Sequence, residues 1–142
     1  MSNVIGLDAS YFVAPQLNEV DLALLQSQGF ERIINNRPDG EVDDQPTSED
    51  IRHAAESLGM EYVSNPVDLS KLSQQQVDIQ KAALAETKKT LAFCRTGTRS
   101  SVLWVLLENN KGSESSDLIS YVTDKGFDLS RCAAAMAPLL KV

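Results

Sequence analysis

A cysteine and an arginine separated by four residues form the part of this sequence best suited to chemistry. Segment 94–99, which reads Cys-Arg-Thr-Gly-Thr-Arg, follows the short apolar run 90–93 and precedes the apolar run 102–107. This order predicts a strand, a tight loop and a helix. The loop N–H groups and the positive end of the helix dipole favour an anion, and thiols in such surroundings ionise more readily than a free thiol. We therefore predict that Cys94 is a catalytic nucleophile.

The residues around Cys94 are of types that suit the binding of an anion. Gly97 allows the backbone to curl so that its N–H groups point inward, and Arg99 offers a permanently charged fork of donors. Arg95 adds a second positive charge, and the hydroxyl of Ser100 could donate to the thiolate. The predicted binding residues of the loop are Arg95, Thr96, Gly97, Thr98 and Ser100. The alternative is that Cys94 is a buried structural cysteine beside two exposed arginines, since cysteine is among the most buried residue types.

Composition limits the classes of function that fit the chain. The 142 residues suit one domain, predicted over 1–142, and the charged and hydrophobic fractions are those of an ordinary globular protein. The net charge of −7 disfavours nucleic acid as a partner. Two cysteines and a single histidine match no metal-ligand spacing, so no metal is expected. Without a long apolar segment or a basic, apolar N-terminus, we expect a cytoplasmic protein that does not enter membranes.

Segments typical of strands and helices alternate along the whole chain. Strands are predicted over 11–14, 30–35, 60–67 and 90–93. Helices are predicted over 18–29, 47–59, 73–87, 99–110, 115–125 and 130–140. Asn18 and Ser73 are the expected N-caps of the first and third of these helices. Such alternation predicts an α/β fold with a parallel sheet covered on both faces, and ligand sites of that fold lie beyond the carboxyl ends of the strands, where Cys94 falls.

Two segments resemble known families. The loop 94–99 resembles the Cys-Arg-x-Gly-x-Arg active-site loop of rhodanese-type sulfurtransferases. Together with stretch 34–41, which reads Ile-Asn-Asn-Arg-Pro-Asp-Gly-Glu, it resembles small bacterial sulfurtransferases built on a phosphatase-like domain. The same domain occurs in beta-lactamase hydrolase-like proteins, fused to persulfide dioxygenases. The resemblance implies a three-layer fold like that of dual-specificity phosphatases, and transfer of sulfane sulfur through a persulfide on Cys94.

The sequence also departs from the signature of tyrosine phosphatases, which resembles His-Cys-x5-Arg. Here four residues separate the cysteine from the arginine, and Phe93 stands where that signature has histidine. The shorter loop suits a single terminal sulfur better than a tetrahedral phosphate. Asp68, however, occupies the place where a phosphatase of this fold would keep its general acid. The alternative for Asp68 is a loop carboxylate that caps the following turn.

Three further features have two interpretations each. Arg37 could face Cys94 and help to hold an anionic substrate, or it could be a surface arginine paired with nearby acids. Segment 39–50 contains six carboxylates and no Lys or Arg, which is most simply a solvated face, although such a rim could select substrates. Cys132 shares a helical stripe with apolar residues, which favours a core position over a role as a resolving thiol.

The sequence leaves three hypotheses of function. The favoured one is a sulfurtransferase in which Cys94 takes sulfur from thiosulfate or a glutathione persulfide and passes it to a thiol or cyanide acceptor. The second is a phosphatase with Cys94 as nucleophile, Arg99 as the phosphate clamp and Asp68 as general acid. The third is a binding module for anions or sulfur carriers without catalysis. None of the three implies a cofactor.

Overall fold

One five-stranded sheet organises the protein, and the structure, a computed structural model, describes residues 3–141. The strands are β1 (Ile5–Gly6), β2 (Tyr11–Ala14), β3 (Arg32–Asn35), β4 (Glu61–Ser64) and β5 (Thr90–Phe93). Their order is β1-β2-β5-β3-β4, and every neighbouring pair is parallel except β1 and β2. The expected parallel sheet is confirmed for four strands. The antiparallel edge strand β1 has no signal in the sequence, because two residues are too few to show a period.

Six α-helices surround the sheet in the part of the chain that the structure describes. They are α1 (Glu19–Ser27), α2 (Ser48–Ser57), α3 (Gln74–Ala83), α4 (Thr98–Asn110), α5 (Ser115–Asp124) and α6 (Ala133–Met136). Asn18 and Ser73 cap α1 and α3 as expected, each within a capping box, and Thr47 caps α2. Of the helices within residues 3–141, none is both long and apolar enough to cross a membrane.

Two prolines explain where the structure departs from the predicted elements. The strand expected over 60–67 ends at Ser64, because Pro66 has no N–H to donate to a sheet. The helix expected over 130–140 is instead the short α6 between two single-turn 3-10 helices, Ser130–Cys132 and Ala137–Leu139. Pro138 cannot continue an α-helix, because its ring clashes with the preceding turn.

Alternate residues of the central strands face opposite layers of helices. Ile33 and Leu91 pack with α1 and α2, whereas Ile34 and Ala92 pack with α3, α4 and α5. All residues of β3 and β5 are buried, as expected for strands covered on both faces. The α/β, three-layer fold class predicted from the sequence is therefore confirmed.

The register of the strands brings three loops together at one edge of the sheet. Phe93 is level with Ala14 of β2 on one side and with Asn35 of β3 on the other. The Asn36 N–H donates to the Phe93 carbonyl at 2.8 Å, and the loop after β2 is tied to the loop after β5 by a Gln16 N–H to Arg95 carbonyl bond of 3.3 Å. Cys94 therefore lies between the loops that follow β2 and β3.

Candidate active site

The thiol of Cys94 lies against the backbone of its own loop. The Gly97 N–H donates to the Cys94 sulfur at 3.1 Å, and Cys94 has no exposed surface. Gly97 is the N-cap of α4, so the first N–H groups of this helix, which have no partners inside the helix, open toward the same loop. The strand, tight loop and helix predicted around Cys94 are thus present, and the Gly97 N–H is directed at the sulfur.

Gly97 is required by both its backbone angle and its surroundings. Its φ of +93° lies in the left-handed region, which side chains with a Cβ rarely adopt. A Cβ at this position would also lie 2.9 Å from Cε1 of Phe127. The ring of Phe127 therefore packs directly under the loop and supports the curl that aims the Gly97 N–H at the sulfur.

A single carboxylate holds the guanidinium of Arg99. Arg99 Nη1 donates to Glu41 Oε2 at 2.7 Å, and Nη2 donates to Glu41 Oε1 at 2.8 Å. A second bond from Nη1 reaches the Val67 carbonyl at 2.9 Å. The Cys94 sulfur lies next to the guanidinium of Arg99 and interacts with it as a charge and as a hydrogen-bond partner. Glu41 and Val67 thus fix the far end of the guanidinium and leave one edge available to an anion.

The charges in this pair stabilise each other strongly. The hydrogen bonds from Arg99, helped by those from Arg37, lower the pKa of Glu41 to about 2. The hydrogen bonds to Glu41, followed by the nearby Cys94 sulfur, raise the pKa of Arg99 above its ordinary value. Glu41 is therefore ionised, and Arg99 stays charged, at every pH at which the protein would work.

Arg37 also contacts Glu41. Its Nε donates to Glu41 Oε1 at 2.9 Å, and its Nη1 donates to Gln16 Oε1 at 3.0 Å. Only 5% of Arg37 is exposed, and its backbone N–H donates to the Asn35 side chain. Arg37 is thus a buried residue of the site and not an arginine of the open surface, although it does pair with an acid.

Ser100 does not donate to the thiolate. Its hydroxyl donates to Asn36 Oδ1 at 2.9 Å, and a hydroxyl has only one hydrogen to give. Asn36 belongs to a buried network in which Gln80 links it to Asn65 and to the hydroxyl of Tyr11. This network lies beneath the loop and joins the segment that carries Arg37 to the helix that carries Arg99.

Asp68 lies at the open side of the site. It is the exposed N-cap of a 3-10 helix over Leu69–Lys71, and it accepts hydrogen bonds from the Ser70 hydroxyl at 2.7 Å and the Ser70 N–H at 3.0 Å. These bonds lower the pKa of Asp68 below its ordinary value, and the bond from the Ser70 hydroxyl contributes most. A cavity of about 460 Å³ is lined by Pro38, Glu41, Asp68, Leu69 and Arg99. The capping role considered for Asp68 is thus observed, and the same carboxylate shares a cavity with Arg99.

The other residues singled out in the loop lie at its rim. The side chain of Arg95 is exposed, and the Thr96 hydroxyl donates to the Thr98 hydroxyl at 3.0 Å. Cys132 is buried in the core, as expected, and burial, followed by the charge of Cys94, raises the pKa of its thiol. Across residues 3–141, no group of three or more His, Cys, Asp or Glu side chains is placed to hold a metal ion. Arg99 interacts with Cys94, and Arg37 binds the same Glu41 carboxylate as Arg99, so two guanidiniums suited to an anionic ligand lie at this site.

We expect the Glu41→Gln variant to lose activity because Arg99 is no longer held by a carboxylate. A misplaced donor to the transition state costs roughly 10²-fold in kcat. Steady-state kinetics of the variant should show this loss in kcat. Glu49→Gln, which removes an exposed carboxylate on α2, is the matched control. Unchanged kcat in Glu41→Gln would show that Arg99 is positioned by other contacts.

The same variant should also change the pH dependence of stability. Because folding lowers the pKa of Glu41 from 4.5 to about 2, its charge stabilises the fold fully above pH 4.5 and progressively less as the pH falls toward 2. The difference in free energy of unfolding between wild type and Glu41→Gln should therefore shrink over this range.

The family of the chain follows from comparison with known proteins. Residues 4–111 match the model of the phosphatase-like domain of beta-lactamase hydrolase-like proteins. The chain belongs to this family. A beta-lactamase hydrolase-like protein from Agrobacterium fabrum is 36% identical to the phosphatase-like domain over 124 residues, which is 86% of this chain and 28% of that protein. The domain thus corresponds to less than a third of this relative's length.

Solved structures share the fold of the phosphatase-like domain. A candidate phosphatase from Neisseria meningitidis superposes with a TM-score of 0.80 at 28% identity, over 92% of this chain and 96% of that one. Kinase associated phosphatase, solved with its catalytic site cysteine changed to serine, superposes with a TM-score of 0.66 at 15% identity, over 91% and 86% of the two chains. The expected likeness to phosphatases of this fold class is therefore confirmed. Rhodanese-type sulfur chemistry is not shown by these comparisons.

Two residues of the site had no role in the sequence analysis. Glu41 lies at the end of the motif 34–41, but among the six carboxylates of segment 39–50 nothing marks it as the one that binds arginine. Glu41 is exposed, as a solvated face predicts, and its carboxylate also accepts from two guanidiniums. Asn36 was part of the same motif, and only the contact with Ser100 shows what it does.

Proposed function

We propose that this phosphatase-like domain is a cysteine-dependent phosphatase that hydrolyses phosphate monoesters through Cys94. The observation that carries the proposal is the pairing of the Cys94 sulfur, which accepts the Gly97 N–H, with Arg99, whose guanidinium is fixed by Glu41. A nucleophile beside a preset cation and a helix N-terminus is the arrangement that phosphoryl transfer needs. The relatives by fold include a phosphatase with a catalytic cysteine.

In the first step, the Cys94 thiolate attacks the phosphorus atom. A sulfur–phosphorus bond forms, the bond to the leaving oxygen breaks, and Asp68 donates its proton to that oxygen. The free edge of Arg99 and the N–H groups of loop 95–98 bind the phosphate oxygens and stabilise the charge that builds up on them. In the second step, water attacks the phosphorus, Asp68 takes its proton, and the thiolate of Cys94 leaves.

The ionisation of Asp68 limits this chemistry near neutral pH. Hydrogen bonds from Ser70 lower the pKa of Asp68, so only a small fraction of the free enzyme carries the proton that the first step uses. Esters with good leaving groups need less protonation, and they should therefore be the better substrates at neutral pH.

A second candidate function is sulfur transfer. It is favoured by the ionised state of Asp68, which leaves few molecules with a proton to donate, and by the length of the loop. Four residues separate Cys94 from Arg99, one fewer than in the tyrosine phosphatase signature, so the ring of N–H donors is smaller. In this reaction the Cys94 thiolate attacks the outer sulfur of thiosulfate or a glutathione persulfide, and sulfite or a thiolate leaves. A thiol acceptor then removes the sulfur. No general acid is required, because these leaving groups are already stable anions.

One preparation of the protein can separate the two candidates. We expect turnover of an aryl phosphate, and a phosphoryl group on Cys94 in the intact mass after rapid quenching. Thiosulfate and glutathione persulfide should be turned over slowly and leave no added sulfur. An added sulfur atom on Cys94, removable by cyanide, together with no aryl phosphate turnover, would replace the phosphatase with the sulfurtransferase. If neither adduct nor turnover occurs, the domain is a binding module.

A further inference from the structure

Arg37 lies beside the nucleophile loop, residues 94–99. The Asn36 N–H bonds to the Phe93 carbonyl, so the segment that carries Arg37 runs beside the start of the nucleophile loop. Its Gln16 partner donates from its backbone to the same loop at Arg95. Arg37 Nε and Arg99 Nη2 donate to one oxygen of Glu41, so they are separated by less than the sum of these two bond lengths.

One nitrogen of this buried guanidinium remains available. Nε and Nη1 have partners, whereas Nη2 has none among residues 3–141. In the same part of the chain, every side-chain nitrogen or oxygen that solvent does not reach has a hydrogen-bond partner. The Nη2 group of Arg37 must therefore face accessible space, although 95% of the residue is covered. A buried guanidinium with two fixed nitrogens and one open nitrogen is preorganised to bind a ligand.

The charges leave room for an anion at this position. Glu41 is one negative charge shared by two guanidiniums, so Arg37, Glu41 and Arg99 together carry one excess positive charge, which the Cys94 thiolate balances until its sulfur bonds to phosphorus. Arg99 uses its free edge for the reacting group, which leaves the open nitrogen of Arg37 for a different anionic group. Hydrogen bonds to charged partners are about twice as strong as those between neutral groups, so a second anion would be selected over a neutral group of the same shape.

We propose that Arg37 forms a second anion-binding subsite beside the reacting centre. The preferred substrates are phosphate monoesters whose leaving group carries a second anionic group, such as a carboxylate. That these substrates are hydrolysed rests on the proposed phosphatase function. That an anionic leaving group is preferred rests on the contacts of Arg37.

The test compares carboxyphenyl phosphate with carbamoylphenyl phosphate, which has the same shape without the negative charge. The ortho, meta and para isomers of each are assayed, and the ratio of kcat/KM within each pair is recorded. We expect wild type to prefer the carboxylate about tenfold in at least one isomer, the worth of one hydrogen bond between charged groups. Arg37→Gln should bring that ratio close to one. Arg131→Gln, which removes an exposed arginine far along the chain, should keep it.

The ratio isolates the subsite from any general loss of activity. Arg37 also contacts Glu41, so its replacement can slow both members of a pair, but a shared loss cancels in the ratio. If Arg37→Gln does not fold, Arg37→Lys serves instead, because it keeps the charge but cannot contact Gln16, Glu41 and the ligand together. A ratio near one in wild type for all three isomers, or a preference that survives both Arg37 variants, would overturn the proposal.

Binding to Cys94→Ser distinguishes a failed subsite from a failed function. Calorimetry with the same pairs of compounds measures selectivity without turnover. Tighter binding of the carboxylate that is lost in Cys94→Ser/Arg37→Gln, with no hydrolysis by wild type, would keep the subsite and reject the phosphatase. Hydrolysis by wild type with equal binding of both compounds would keep the phosphatase and reject the subsite.

Discussion

Replacing Cys94 with serine should abolish hydrolysis of phosphate monoesters. A hydroxyl is a poor nucleophile without a neighbouring base, and the single histidine, His53, lies exposed on α2 where it pairs with Glu49. Loss of a nucleophile lowers kcat by roughly 10⁴–10⁶-fold. Steady-state turnover of an aryl phosphate and the intact mass of the quenched enzyme measure the loss of rate and of the phosphoryl adduct together.

Cys132→Ala provides the matched control for this experiment. Burial raises the pKa of the Cys132 thiol, so it stays protonated and takes no part in the proposed reaction. The variant should retain turnover to within a few-fold, and the thermal unfolding midpoint shows whether each variant folds. Persistent turnover by folded Cys94→Ser would mean that another group attacks phosphorus.

Replacing Asp68 with asparagine should cut turnover of esters with poor leaving groups by roughly 10²–10⁴-fold, the usual contribution of a general acid. Esters with good leaving groups, such as p-nitrophenyl phosphate, should lose much less. Asp44→Asn, which removes an exposed carboxylate from the acidic segment 39–50, is the control and should leave both rates unchanged. An equal loss for both classes of ester would show that Asp68 positions the loop and does not supply a proton.

The pH profile provides a second readout of Asp68. Because its pKa is lowered, the proton-carrying form is scarce at pH 7 and becomes more abundant as the pH falls. For an ester with a poor leaving group, kcat of the wild type should therefore rise on acidification from pH 7, and Asp68→Asn should not show this rise. If sulfur transfer proves to be the reaction, Asp68→Asn should change its rate by only a few-fold.

Local sequence determines most elements of this fold. The N-caps Asn18 and Ser73 form as predicted, because each capping box joins residues only three positions apart. The buried strands β3 and β5 are also found where continuous apolar runs predict them. The elements that differ depend on proline: Pro66 shortens β4 and Pro138 interrupts the C-terminal helix.

The nucleophile loop could likewise be predicted from sequence. Strand, loop and helix are contiguous, so the Gly97 N–H reaches the Cys94 sulfur through local geometry alone. The left-handed φ of Gly97 belongs to the same short segment. The expected donation from Ser100 to the thiolate is not decided by local geometry. Its hydroxyl can also contact residues that follow other strands, and in the structure it donates to Asn36.

Only the tertiary structure decides which groups act on that loop. Ser100 donates to Asn36, which is 64 positions away and is brought near by the pairing of β3 with β5. Glu41 reaches Arg99 over 58 positions, and its carboxylate is one of six in an acidic segment. Sequence shows the types of these residues but not their distances, because side chains far apart in the chain meet only through the order and register of the strands. The sequence alone therefore determined the loop that holds Cys94, the proposed nucleophile, and the packing of the loops at the sheet edge decided how Arg99 and Arg37 are held.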